Sequence, residues 1–128
     1  MKVADTDVLI DFLRGAEPAA SRFAEALEAG ALLATTTITR FELLAGARGK
    51  RQQSAVEALL AALPALPLDT AAADRAAGVR RELESSGDGI GMADSLIAGI
   101  VLTHGAQLLT RNRRHFERVP DLAVVDLA

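Results

Sequence analysis

The chain has 128 residues, a net charge of −3 and an apolar half in which alanine predominates. That describes one domain, residues 1–128, long enough to bury a core and too apolar to be disordered. The lack of cysteine excludes disulfides and thiolate metal sites and fits a reducing, cytoplasmic setting, while the acidic balance excludes a general nucleic-acid coat protein.

Short apolar runs alternate with amphipathic stretches along the chain. Lys2 to Asp5 reads as a strand, and Thr6 can cap a first helix to about Arg14, ended by Gly15. Pro18 opens a second helix to Ala29, closed by Gly30. Leu32 to Thr36 reads as a strand. Thr39 and Glu42 form a possible capping box for a helix ending at Gly46. Gln52 to Leu63 is expected to be helical and is stopped by Pro64, and Ala65 to Leu68 is a third strand. Thr70 to about Ser85 makes the longest helix, closed by the turn Ser86-Gly87-Asp88-Gly89. Ala93, Leu96, Ile97, Ile100 and Val101 share one face of a helix ending near His104. Gln107 to Thr110 is a fourth strand and Leu122 to Val125 a possible fifth. Strands separated by helices imply an α/β fold: a parallel sheet of four to five short strands with helices on both faces. The run Leu96 to Leu102 is too short to span a bilayer. The first residues, one Lys followed by acids, do not read as a signal peptide.

Three acids stand where an apolar run meets the start of a helix: Asp5, Glu42 and Asp94. A carboxylate beside an apolar run is costly to desolvate unless something pairs with it. Brought together, the three suggest a divalent-metal site. In a right-handed α/β sheet, helix N-termini and strand C-termini share one edge, so Asp5, Glu42, Asp94 and Asn112 are expected to converge there. Each acid also has a local explanation. Asp5 can cap a helix, Glu42 can complete the capping box, and Asp94 can answer a helix dipole, worth roughly 0.3–1 kcal/mol. Asp11 looks like part of a solvated helix face. Four of the 14 basic residues, Arg111, Arg113, Arg114 and Arg118, fall within eight positions around His115. His104 and His115 are not spaced as zinc ligands and read as structural.

The segments Asp5-Thr6-Asp7-Val8-Leu9-Ile10-Asp11, Ile38 to Gly46, Ala93-Asp94-Ser95-Leu96-Ile97-Ala98 and Leu109-Thr110-Arg111-Asn112-Arg113-Arg114-His115-Phe116 together resemble the PIN domain. Within it they are most similar to the VapC-type toxin ribonucleases of toxin–antitoxin pairs. The set runs over essentially the whole chain in the family's order. The resemblance implies a metal-dependent endoribonuclease in which Asp5, Glu42 and Asp94 hold Mg²⁺ or Mn²⁺. Asn112 then stands where many members carry a fourth acid, and Asp7 where the family usually has Asn or Ser. Asp7 therefore either tunes the site or only caps the helix. Thr6 and Thr110 are supporting residues, Thr110 orienting a carboxylate or a water unless it only ends its strand. Arg111, Arg113 and Arg114 can neutralise substrate phosphates or form a solvated basic turn. The resemblance further implies an RNA substrate, a cognate VapB-type antitoxin and a homodimer. The helices at Ser21–Ala29 and Gln52–Leu63 offer faces for that dimer, or for the core.

Other readings use the same residues. Asp5-Thr6-Asp7-Val8-Leu9 also resembles the aspartyl-phosphate motif of haloacid-dehalogenase-type phosphatases. That family needs a downstream Lys, and this chain has only Lys2 and Lys50. A receiver-like domain would use Asp69 as phosphoacceptor. A degenerate PIN scaffold would bind RNA or a partner without cleaving.

Overall fold

The computed structural model describes residues 1–126; the last two positions of the expected 1–128 span lie outside the described residues. Five short strands, β1 (Lys2–Ala4), β2 (Leu33–Thr36), β3 (Ala65–Leu66), β4 (Gln107–Leu109) and β5 (Ala123–Val125), form one sheet in the order β3-β2-β1-β4-β5. Every adjacent pair is parallel, with Val3 opposite both Ala34 and Leu108. The helices are α1 (Thr6–Arg14), α2 (Ala19–Glu28), α3 (Thr37–Gly46), α4 (Gly49–Ala61), α5 (Thr70–Ser85), α6 (Met92–Thr103) and α7 (Arg113–Phe116).

Successive strand residues point to opposite faces, and the core divides accordingly. Val3 and Leu108 belong to a cluster with Val79 and Leu83 of α5, Ile97 and Val101 of α6, and Phe116. Their neighbours Ala4 and Leu109 belong to a second cluster with Leu9, Phe23, Leu43, Val56 and Leu60 from α1 to α4. The sheet is thus the middle of three layers, buried on both faces as parallel sheets are. Apolar residues of α2 and α4, among them Phe23, Val56 and Leu60, belong to this second cluster, so of the two roles open to these faces, dimer or core, they serve the core. Helices α5 and α6 meet at Gly99, where a Cβ would lie 2.6 Å from both the Ala72 carbonyl oxygen and the Ala76 Cβ.

Several boundaries differ from the sequence reading. Helix α1 is capped not by Thr6 but by Asp5, whose Oδ1 accepts the Thr6 N–H at 2.8 Å. The strand stops one residue earlier than expected, which frees Asp5 to cap. Helix α3 starts at Thr37, because Thr36, the last residue of β2, takes the Thr39 N–H at 3.1 Å. The Thr39–Glu42 capping box is therefore absent, and Glu42 lies in the second helical turn. Helix α4 begins at Gly49, not Gln52, and the short α7 follows Asn112 where no helix was expected. Four residues are too few to show a helical period. No helix among the described residues is long and apolar enough to cross a membrane.

Candidate active site

Strand order reverses between β1 and β4. From β1 the chain runs outward to β2 and β3, then returns to add β4 and β5 on the other side. At such a switch point the connections leave in opposite directions and open a crevice at the carboxyl ends of the strands. Asp5 leaves β1 at this point, and its N–H continues the ladder to the Leu109 carbonyl at 2.9 Å.

Asp5 is 5% exposed. Its second oxygen, Oδ2, accepts the Thr110 hydroxyl at 2.8 Å, so β4 holds the acid that β1 delivers. Burial is the main cause that pushes its pKa up, from 3.8 to about 7. Repulsion from Asp7, and more weakly from Asp94, adds to this, while the bonds from Thr110 and the Thr6 N–H oppose it. Asp7 is raised too, chiefly by burial, and its Oδ1 is buried with no hydrogen-bond partner among the described residues.

Glu42 reaches the same crevice through hydroxyls. The Thr6 Oγ1 donates to Glu42 Oε1 at 2.8 Å and lies 2.9 Å from the Thr39 Oγ1. A hydroxyl has one proton, so Thr39 must donate to Thr6, and Thr36 in turn donates to Thr39 at 3.3 Å. Thr36 at the end of β2, Thr39 of α3 and Thr6 of α1 thus form a one-way chain of hydroxyls that ends on the Glu42 carboxylate.

Asp94 occupies the first turn of α6, whose dipole favours its charge. The His115 Nδ1 is 3.4 Å from Asp94 Oδ2 and 2.8 Å from the Asn112 Nδ2. His115 was set aside in the sequence; the structure brings it beside Asp94, three residues beyond Asn112. That spacing is one helical turn and would have been the signal, had α7 been foreseen. His104, by contrast, stays local, 3.0 Å from the Ile100 carbonyl.

The basic residues divide. Arg111 lies 3.1 Å from Asp11 and 3.9 Å from Asp7, so Asp11 is an ion-pair partner, 15% exposed, and not the solvated face expected of it. Arg113 pairs with Glu117 and Asp126. Arg114 is exposed and makes no ion pair among the described residues. Asp69 caps α5 through Ala72 N–H.

A buried carboxylate, two further acids in its field and an unpartnered carboxylate oxygen form a donor set suited to a hard divalent cation. Among the described residues no three acidic or imidazole groups are close enough to enclose an ion by themselves. The arrangement therefore fits an open site, bound by one or two carboxylates at a time with water completing the shell, as Mg²⁺ prefers.

Sheet topology and acid placement together define a small α/β domain with a candidate site at its central switch point. The sequence matches the PIN-domain family over residues 2–122, and the chain belongs to that family. It is 38% identical over 122 residues to ribonuclease VapC19 of Mycobacterium tuberculosis, covering 95% of this chain and 97% of that one. To a tRNA(fMet)-specific endonuclease VapC of Salmonella typhimurium it is 35% identical over 95 residues, covering 71% and 72%. Among solved structures it is similar to VapBC2 from Rickettsia felis bound to a promoter DNA fragment, with a TM-score of 0.87, 25% identity, and 98% and 97% of the two chains covered. It is also similar to a toxin–antitoxin complex from Klebsiella pneumoniae, with a TM-score of 0.79, 26% identity and coverage of 100% and 98%.

Proposed function

We propose that this chain is an endoribonuclease, the toxin of a toxin–antitoxin pair, restrained by a cognate VapB-type antitoxin. The observation that carries the reading is the buried Asp5 at the switch point between β1 and β4, held by Thr110, with Asp94 acting on it and Glu42 tied to the adjoining Thr6. The VapC ribonucleases and VapBC complexes that the chain resembles support the substrate class and the partner.

Asp5, Glu42 and Asp94 are the residues that would hold a divalent cation, Mg²⁺ or Mn²⁺, with Asn112 at the edge of the set. Bound there, the cation polarises phosphoryl oxygens and supplies a nucleophilic water at neutral pH. The protein's own part is to fix its carboxylates. Thr110 and the Thr6 N–H hold the two oxygens of Asp5, and the threonine chain orients Glu42. Arg114, exposed and without an ion pair among the described residues, is the arginine we assign to a substrate phosphate. The same reading carries a cytoplasmic location and a homodimer, for which the exposed Phe41 and Leu44 of α3 supply apolar surface.

The test is cleavage of total cellular RNA by antitoxin-free protein with Mg²⁺ or Mn²⁺, with chelator, and beside Asp5→Asn. Discrete, cation-dependent fragments missing from the variant are expected. Metal-independent cutting, or equal cutting by the variant, would reject the site.

A further inference from the structure

Arg111 leaves the sheet between two residues already tied to the crevice. Thr110 before it holds Asp5, and Asn112 after it reaches His115 beside Asp94. Its own side chain packs against α1, with Nε 3.1 Å from Asp11 Oδ2 and 3.9 Å from Asp7 Oδ2. Asp7 and Asp11 are four residues apart on one helix, a spacing at which like charges repel. Both are largely withdrawn from solvent, 22% and 15% exposed, which weakens the screening between them.

We propose that Arg111 is a positioning residue, the counter-ion that holds Asp7 and Asp11 in place beside Asp5, and not a contact to substrate phosphate. The inference rests on the ribonuclease reading above. Three observations carry it. The guanidinium, on a side chain 64% exposed, pairs with Asp11 at 3.1 Å and lies 3.9 Å from Asp7, and no other cation pairs with either carboxylate among the described residues. Asp7 stands two residues after Asp5 and its Oδ1 is buried with no hydrogen-bond partner among the described residues, so the contact from Arg111 to its Oδ2 is what faces its charge. And Arg111 ties α1 to β4, the two elements whose meeting defines the crevice. Without it, two like charges are left uncompensated in the first two turns of α1, whose cap is Asp5.

A different result would follow if Arg111 gripped phosphate. Removing a phosphate contact weakens RNA binding and flattens its dependence on salt by about 0.7 in the log–log slope for a single strand. Removing a positioning residue leaves affinity and slope alone and lowers turnover, because small misplacements of reacting groups are costly.

The experiment compares Arg111→Gln, Arg111→Lys, Asp11→Asn and the Asp11→Asn/Arg111→Gln double variant with wild type and Arg114→Gln. RNA cleavage, RNA affinity across a salt series and thermal melting are read for each. For Arg111→Gln, kcat is expected to fall roughly ten- to a hundredfold with KM and salt slope unchanged. Lys, which keeps the charge but not the planar fork, should recover part of the loss. The double variant should melt no lower than Arg111→Gln alone, since the two residues act as one pair. Weaker RNA binding with a flatter slope for Arg111→Gln would overturn the proposal, and so would melting losses that simply add. A wild type that fails to cut RNA at all would count against the ribonuclease reading; the melting cycle would still decide whether Arg111 and Asp11 are coupled.

Discussion

Thr110 and Asp5 are 105 residues apart in sequence, yet the Thr110 hydroxyl donates to the Asp5 carboxylate at 2.8 Å inside the protein. The same oxygen atom of Thr110 accepts the Asn112 N–H at 3.0 Å. One side chain thus fixes both the buried acid and the loop that carries Arg111 and Asn112. Replacing it with Val keeps the shape and removes the donor. Thr110→Val is expected to lose about 1–3 kcal/mol, the cost of leaving a buried polar atom unpaired, whereas Thr110→Ser keeps most of the stability. Thermal melting of the two variants checks this, and equal melting would show that the hydroxyl contributes nothing.

The raised pKa of Asp5 gives stability a definite pH dependence. The folded value of about 7 lies above the unfolded 3.8, so the folded chain holds this proton more tightly. The contribution is complete below about pH 4 and is lost as pH rises to about 7; beyond that, the ionised metal-free form carries a cost on the order of ~4 kcal/mol. Asp5→Asn cannot ionise. Without cation, the variant should therefore melt above wild type at pH 8 and close to it only below about pH 4. Mg²⁺ should stabilise wild type at pH 8 and leave the variant unmoved. Melting curves with chelator and with Mg²⁺ at the two pH values test each part.

Glu42→Gln retains an oxygen to accept the Thr6 hydroxyl but loses the charge. Stability should stay within about 0.5 kcal/mol of wild type, while cleavage falls by at least about a hundredfold. A variant that unfolds would show that the charge, and not only the oxygen, anchors α3 to α1. A folded variant that cuts normally would remove Glu42 from the site.

Asn112→Asp adds a carboxylate near Asp94 and takes away the amide that faces His115. Cation affinity, read by Mn²⁺ titration, should rise on the order of tenfold. An unchanged or weaker titration would put position 112 outside the cation's reach.

Gly99→Ala tests the packing that carries Asp94. The added methyl would lie 2.6 Å from the backbone oxygen of Ala72, so α5 and α6 must part. A loss of roughly 1–3 kcal/mol is expected from overpacking. Cation titration of the folded fraction would then show whether the strain reaches the N-terminus of α6.

Much of this was legible in the sequence, and the reasons differ by element. The strands and long helices show in period-2 and period-3.6 patterns, bounded by Gly15, Gly30 and Pro64, so fold class and layer order followed directly. Asp5 and Asp94 stand out because each interrupts an apolar run. Caps were harder to read. Thr35-Thr36-Thr37 offers three adjacent hydroxyls, and only the exact end of β2 selects Thr36, which moved Glu42 one turn deeper. The pairing of Arg111 with Asp11 and the approach of His115 to Asp94 depend on tertiary placement of a four-residue helix, which no local pattern encodes.

The position of β1 carries a last consequence. As the middle strand it is hydrogen-bonded on both edges, with β2 on one side and β4 on the other, and covered on both faces. Opening it locally means dismantling both halves of the sheet, so its amides should exchange with solvent only through global unfolding. The acid it delivers is thereby as durable as the domain itself. The strand that delivers the acid therefore offers no soft segment through which the centre could be silenced. Restraint must come from outside, by something laid over the crevice and then taken away.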